Sequence, residues 1–180
     1  ARGRYIAYLN HDDLWLPEKL VHQVAEMEHL PDTVGVLYSD AYTIDPEGKL
    51  LPQRFIESTR KFERPPEGDI FREMIKGCWI SAQGTLIRRS CFDRVGWYDE
   101  SLWAEDIDMW LRITKHYEFR YSPRVVSKYR VLPTSMSRSL HEKVLEHDIR
   151  LCRKYLGQDP EADRALKKYL LSLGERTYRA

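Results

Sequence analysis

The chain has 180 residues, 42% hydrophobic and 32% charged, with 29 basic against 28 acidic side chains and a formal net charge of +1. At this length one folded domain hides roughly 70% of the surface its unfolded chain exposes, enough for a core without disulfide staples. Near-neutral charge excludes a protein built to grip a phosphate backbone, so no nucleic acid partner is expected, and no run approaches the ~18 apolar residues a spanning helix needs.

The chain enters Tyr5-Ile6-Ala7-Tyr8-Leu9 almost at once, an apolar run suited to a buried strand. So abrupt an entry, from Ala1 rather than Met, leads us to expect further chain ahead of it. After Asn10-His11-Asp12-Asp13, Pro17 suits the first turn of a helix. Leu20, Val21, Val24, Met27 and Leu30 recur at three- and four-residue steps, and Pro31-Asp32 ends that helix. Val34 to Tyr38, continued through Ala41 to Ile44, predicts a second buried strand, followed by a turn at Asp45-Pro46-Glu47-Gly48. Residues 52–68 are polar and proline-bearing and read as a mobile surface loop.

A short helix is expected from about Asp69 to Lys76, a strand at Thr85-Leu86-Ile87, and a helical turn from Arg88 to Val95 closed by Gly96. From Glu105 to Tyr117, Ile107, Trp110, Leu111 and Thr114 trace one helical stripe, with Asp108 and Arg112 paired four apart on the polar side. Arg120-Tyr121 and Val125 to Tyr129 suggest two short strands around Pro123. Two helices close the chain, one from about Ser139 to Leu156 and one opening at Asp159-Pro160. The second carries Ala162, Ala165, Leu166, Tyr169, Leu170 and Leu173 on one face. Basic residues outnumber acidic ones from Arg138 onward. The division expected is a main domain over 1–137 with a helical extension, 138–180, packed on it.

Alternation of strands and helices predicts an α/β layer architecture, in which ligands sit beyond the carboxyl ends of strands. Cys78, Cys91 and Cys152 are odd in number and widely spaced, which suggests neither a disulfide framework nor a zinc ribbon and fits a reducing compartment. Asp12 and Asp13 stand just after a strand, where carboxylate oxygens suit a hard divalent cation or simply cap the next helix. Glu105 and Asp106 stand at a helix N-terminus, where the dipole favours an ionised carboxylate, and first-turn acids are also common for stability alone.

The two clusters together resemble a known family. Tyr5 to Trp15 looks like the strand and Asp-x-Asp segment of the family 2 glycosyltransferases, which have the GT-A fold. Gly96-Trp97-Tyr98-Asp99-Glu100 and Glu105-Asp106-Ile107-Asp108-Met109-Trp110-Leu111-Arg112 are similar to that family's signatures, and Tyr129-Arg130 to the end of its last core strand. The likeness covers residues 3 to 138. It implies a partial GT-A fold, a mixed sheet flanked by helices with a C-terminal helical tail, and transfer of a sugar from a nucleotide-diphosphate donor to a saccharide or lipid-linked acceptor hydroxyl with inversion.

By position the resemblance implies a divalent cation, magnesium or manganese, at Asp12 with Asp13 and Asn10, and Asp106 as general base with Glu105 orienting it. Trp79 and Trp97, in loops beside the motif, are candidates for stacking on a sugar, and Arg130 for reaching a phosphate; Trp110 reads as core. Asn10 replaces the first aspartate of the metal motif, and Leu132 lies where many relatives carry a histidine. The family's N-terminal nucleotide-binding half is missing from this sequence. An uncovered sheet edge would then invite pairing with a second copy, giving a homodimer of low activity. The setting implied is cytoplasmic, at the inner face of a membrane. The rival readings are a non-catalytic saccharide- or partner-binding remnant, and a nucleotidyltransferase, for which the Gly-rich basic loop is lacking.

Overall fold

The computed structural model describes residues 2–102, 105–133 and 141–178. Its strands are β1 (Tyr5–Ala7), β2 (Leu14–Trp15), β3 (Val34–Ile44), β4 (Leu50–Arg54), β5 (Thr85–Arg88) and β6 (Glu118–Arg130). They form one mixed sheet in the order β1-β5-β3-β6-β2, with β4 paired to β3. The helices are α1 (Lys19–Glu28), α2 (Phe55–Thr59), α3 (Phe71–Met74), α4 (Arg89–Val95), α5 (Glu105–Ile113), α6 (His141–Tyr155) and α7 (Pro160–Tyr178). This is the α/β class the sequence predicts, a mixed sheet flanked by helices and compatible with a partial GT-A arrangement.

β3 is the spine, parallel to β6 and antiparallel to β5. Its apolar residues are buried on both faces: Val36 and Tyr38 join Trp79, Trp110 and Phe119, while Leu37 joins Met27 and Leu86 on the opposite side. Each such side chain contributes roughly 1.5–3 kcal/mol of burial, so this strand fixes the layer order.

Three expectations need correction. Residues 52–68 are not wholly a loop, because Leu50–Arg54 pairs with β3 as β4 and Phe55–Thr59 forms α2. All five residues of β4 are exposed, so the strand lacks the alternation that would reveal it, and Pro52 is tolerated on an edge. The two short strands around Pro123 are one strand, β6; pairing jumps from Ser39 with Ser122 to Ala41 with Ser127, so the exposed Pro123 falls in a bulge.

Helix α1 forms where expected, and Met27, Val24 and Leu30 of its expected stripe face the core, but the buried face is rotated to take in Lys19 and Gln23 in place of Leu20 and Val21. Lys19, Gln23 and Met27 are buried, whereas Leu20 is 42% and Val21 70% exposed. The Lys19 amine donates to Gln23 Oε1 and to the Thr85 carbonyl at 2.9 Å. Gln23 Nε2 donates to Ser39 Oγ at 3.1 Å and to the Gly84 carbonyl at 2.8 Å. Carbonyls at the start of β5 need donors, and this polar seam supplies them. Burial pushes the Lys19 amine down to about 7. Gly84 belongs here for a spatial reason: a Cβ on it would meet the Ser39 carbonyl oxygen at 2.6 Å.

The tail packs on the main core. Cys152 and Tyr155 of α6 and Ala162 and Leu166 of α7 join the same buried cluster as Trp79 and Trp110. Asp159 caps α7 by accepting from the Glu161 and Ala162 amides, and Arg72 of α3 pairs with it at 2.9 Å. The expected helix start at Ser139 and the division between residues 137 and 138 lie outside the described residues.

Candidate active site

The segment leaving β1 is a closed loop. Trp15 Nε1 donates to the Tyr8 carbonyl at 2.9 Å, and the Asp13 amide to the Asn10 carbonyl at 3.3 Å. Asp13 turns inward: Oδ1 accepts from the Arg130 amide at 2.9 Å and Oδ2 from Asn10 Nδ2 at 3.0 Å. Burial, its largest influence, pushes the carboxyl pKa up against these hydrogen bonds. Asp13 therefore ties the loop to the end of β6. The Asp12 carboxylate is different, partly exposed and with no hydrogen bond or ion pair among the described residues.

Arg130 is a staple rather than a free cation. Its Nε donates to the Asp12 carbonyl at 2.9 Å and its Nη1 to the carbonyls of Asp45 and Pro46, at 3.1 and 2.7 Å. The guanidinium expected to reach a phosphate instead binds the 45–48 turn to the 10–13 loop. Leu132 is partly buried.

The second cluster opens α5. Asp106 is partly buried, and its Oδ1 accepts the Ile107 amide at 2.7 Å. Burial, helped by the Glu105 charge, pushes its carboxyl up to about 6. No cation pairs with it among the described residues. Tyr8 and Tyr98 stack edge to face beside it, centroids 5.7 Å apart. Burial raises both phenols, and the charges of Glu105 and Asp106 push the same way. Tyr8 thus links the clusters: it stands in the field of Asp106 and leads directly into Asn10–Asp13. The periodicity of β1 holds no signal for that role.

Two residues along α5, Asp108 does something else. It is fully buried, with Arg112 Nε at 2.8 Å, Lys154 Nζ at 2.9 Å and the Tyr155 hydroxyl donating at 2.8 Å. Arg112 also holds the Val95 and Trp97 carbonyls, at 2.6 and 2.8 Å. Positions two apart on a helix point roughly 200° away from each other, so one aspartate faces the open site while the other locks α5 to α6 and to the 95–97 turn. The Asp108–Arg112 pair forms as expected, yet on the inside of the molecule. Lys154 and Tyr155 were missed because nothing local connects them to residue 108.

The tryptophans divide. Trp79 is fully buried, its indole donating to the Tyr38 hydroxyl at 3.3 Å and its ring against Phe62 at 5.0 Å. It is a core residue, which corrects its expected role as a sugar platform: the loop carrying it folds under α2 and the 60–62 segment. Trp97 is 63% exposed and rests on Phe92 at 5.1 Å. Trp110 is core, as expected, and packs on Phe119.

No family model matches the chain. It is 32% identical over 136 residues to an uncharacterized glycosyltransferase of Methanocaldococcus jannaschii, covering 73% of this chain and 43% of that protein. It is 29% identical over 146 residues to WfaP of Escherichia coli, named a UDP-Glc:alpha-D-GlcNAc-diphosphoundecaprenol beta-1,3-glucosyltransferase, covering 81% of this chain and 53% of that protein. An uncharacterized glycosyltransferase of Rickettsia typhi is 26% identical over 135 residues, covering 72% of this chain and 40% of that protein. The chain thus spans about half, or less, of the length of the curated relatives it matches.

Proposed function

We propose, from the premise that this chain is homologous to part of a glycosyltransferase, that it forms the acceptor side of a sugar transfer. The reaction moves a sugar from a nucleotide-diphosphate donor, UDP-linked by analogy with the Escherichia coli relative WfaP, to a hydroxyl of a saccharide or lipid-linked acceptor. The observation that carries this reading is Asp106: a carboxyl raised to about 6, paired with no cation among the described residues, whose charge acts on the stacked phenols of Tyr8 and Tyr98. Such a group is ionised near neutral pH and basic enough to take a proton.

In the step proposed, the acceptor oxygen bonds to the anomeric carbon as the bond from that carbon to the diphosphate oxygen breaks, and Asp106 takes the acceptor proton. Attack from the face opposite the leaving group inverts the anomeric centre. Glu105, next in the same turn, keeps the Asp106 pKa high. Oxygen donors at Asp12 and the Asn10 side-chain carbonyl suit a magnesium or manganese ion that keeps waters and substrate phosphates in its shell. When bound, such an ion would neutralise the leaving diphosphate. Asp13 supports that set by fixing the Asn10 amide, which leaves the Asn10 oxygen available. A lipid-linked acceptor would bring the protein to the inner membrane surface.

In a transfer-competent protein containing this segment, Asp106→Asn should lower kcat by about 10²–10⁴-fold with nucleotide binding retained. Turnover near the unmodified rate would refute the assignment. The engagement of Asp13 and the leucine at 132 favour one alternative, a saccharide-binding remnant without catalysis. Calorimetry with UDP and manganese separates the two, since only the enzyme should give heat that requires the metal.

A further inference from the structure

Tyr98, whose phenol stands in the field of Asp106, is followed at once by an acid that reaches α6 instead. Asp99 Oδ2 accepts from Lys154 Nζ at 2.9 Å, and Oδ1 accepts from the Ser101 hydroxyl at 2.6 Å. The Ser101 hydroxyl, then the Lys154 amine, hold the Asp99 carboxyl down to about 2, so this acid stays charged through the neutral range. The same amine lies 2.9 Å from Oδ1 of the buried Asp108.

Asp108 is therefore the hub of two cations that hold the turn on either side of Tyr98. Arg112 donates to the Trp97 carbonyl at 2.8 Å, one residue before it, and Lys154 binds Asp99, one residue after. Tyr98 itself packs on Tyr8 and on Phe92, ring centroids 5.7 and 5.9 Å apart. Lys154 and Asp99 are 36% and 34% exposed, and a pair so open to water adds little to stability. Without Lys154, Asp108 keeps Arg112 and the Tyr155 hydroxyl, so no charge is left buried alone.

We infer that Lys154 is a positioning residue for the proposed base: by tying Asp99 to Asp108 it holds Tyr98 against the Asp106 end of α5 and keeps water from that carboxylate. The inference rests on the sugar-transfer reading above and adds to it a residue outside the acidic motif on which the base depends. The titratable groups that face Asp106 are Glu105 on its own helix, Tyr8 after β1, Tyr98 in the turn and Cys78 in the loop after α3, with no cation among the described residues.

The test is an NMR titration of the Asp106 side-chain carboxyl carbon in the 180-residue chain, unmodified and as Lys154→Met and Lys154→Arg. Charge and position act with opposite sign. Removing a cation leaves more negative charge near Asp106, which alone would raise its pKa, whereas admitting water would lower it. The unmodified carboxyl should titrate at about 6, Lys154→Met should bring it to about 5 or below, and Lys154→Arg, which keeps the charge, should leave it at about 6. If Lys154→Met does not fold, Lys154→Gln, whose amide can still donate to Asp108, carries the same expectation. An Asp106 value unchanged or raised in the Met or Gln variant would overturn the positioning role and leave Asp106 as the base. A value near ~4 in the unmodified chain would instead remove the base, and the positioning role with it.

Discussion

Asp106 and Asp108 share a motif and a helical turn, yet their surroundings give them opposite duties. Asp108, fully buried, is held by two cations and a hydroxyl; Asp106 has burial and a neighbouring acid that disfavour its charge. The sign of the resulting pH dependence follows directly. With a folded pKa of about 6 against roughly 3.9 unfolded, the protonated form stabilises the fold at low pH, and that contribution is lost as pH rises through 6. Asp106→Asn should therefore raise stability by about 2–3 kcal/mol near pH 7.5 and by only about 1 kcal/mol near pH 4.5. Thermal unfolding at both pH values checks this, and an equal effect at the two would contradict it. Residue types and spacing made the acidic cluster legible in the sequence. Which acid is open and which is locked was not, because Lys154 and Tyr155 come from a helix that only folding brings near. Trp79 failed for the same reason, since a loop tryptophan beside a motif looks accessible until Phe62 and Tyr38 close over it.

Among the elements, α5 was the most readable, since Trp110 and Leu111 of its expected stripe are buried and Ile107 partly so, although the helix ends at Ile113 and the buried Thr114 lies just beyond it. Helix α1 was readable as a helix and, through Val24, Met27 and Leu30, in part as a face, but Leu20 and Val21 misled because Lys19 and Gln23 are buried to supply donors to Gly84 and Thr85. Strand β4 was unreadable, being exposed throughout. The element that matters most for the site is α6, which grips α5 through Asp108. Tyr155→Phe removes the hydroxyl from that buried carboxylate and should destabilise the chain by about 1–2 kcal/mol, a lower urea midpoint with unchanged slope. No change in midpoint would mean that α6 does not hold the acid helix in place.

For the whole molecule, the sheet order sets where the motif-bearing segments leave the core. The edge strand β1 leads into the 10–13 loop, β6 ends against that loop through Arg130, and α5 presents Asp106 beside Tyr8. That convergence could be anticipated only from a family resemblance. Nothing in composition or period sets strand order. At the sheet end, among the described residues, β1 pairs with β5 alone, which leaves its other edge for a further strand. We expect the isolated chain to self-associate through that edge at micromolar concentration, as sedimentation can measure; a strictly monomeric chain would argue against it.

The central claim is that a cation at Asp12 and a proton acceptor at Asp106 serve one sugar. Paramagnetic broadening by manganese in the presence of UDP tests it most directly. The amides of Asn10 to Asp13 and of Asp106 and Ile107 should broaden together, and Asp12→Ala should abolish both effects. Broadening confined to the 10–13 loop, with Asp106 and Ile107 unaffected, would contradict the account.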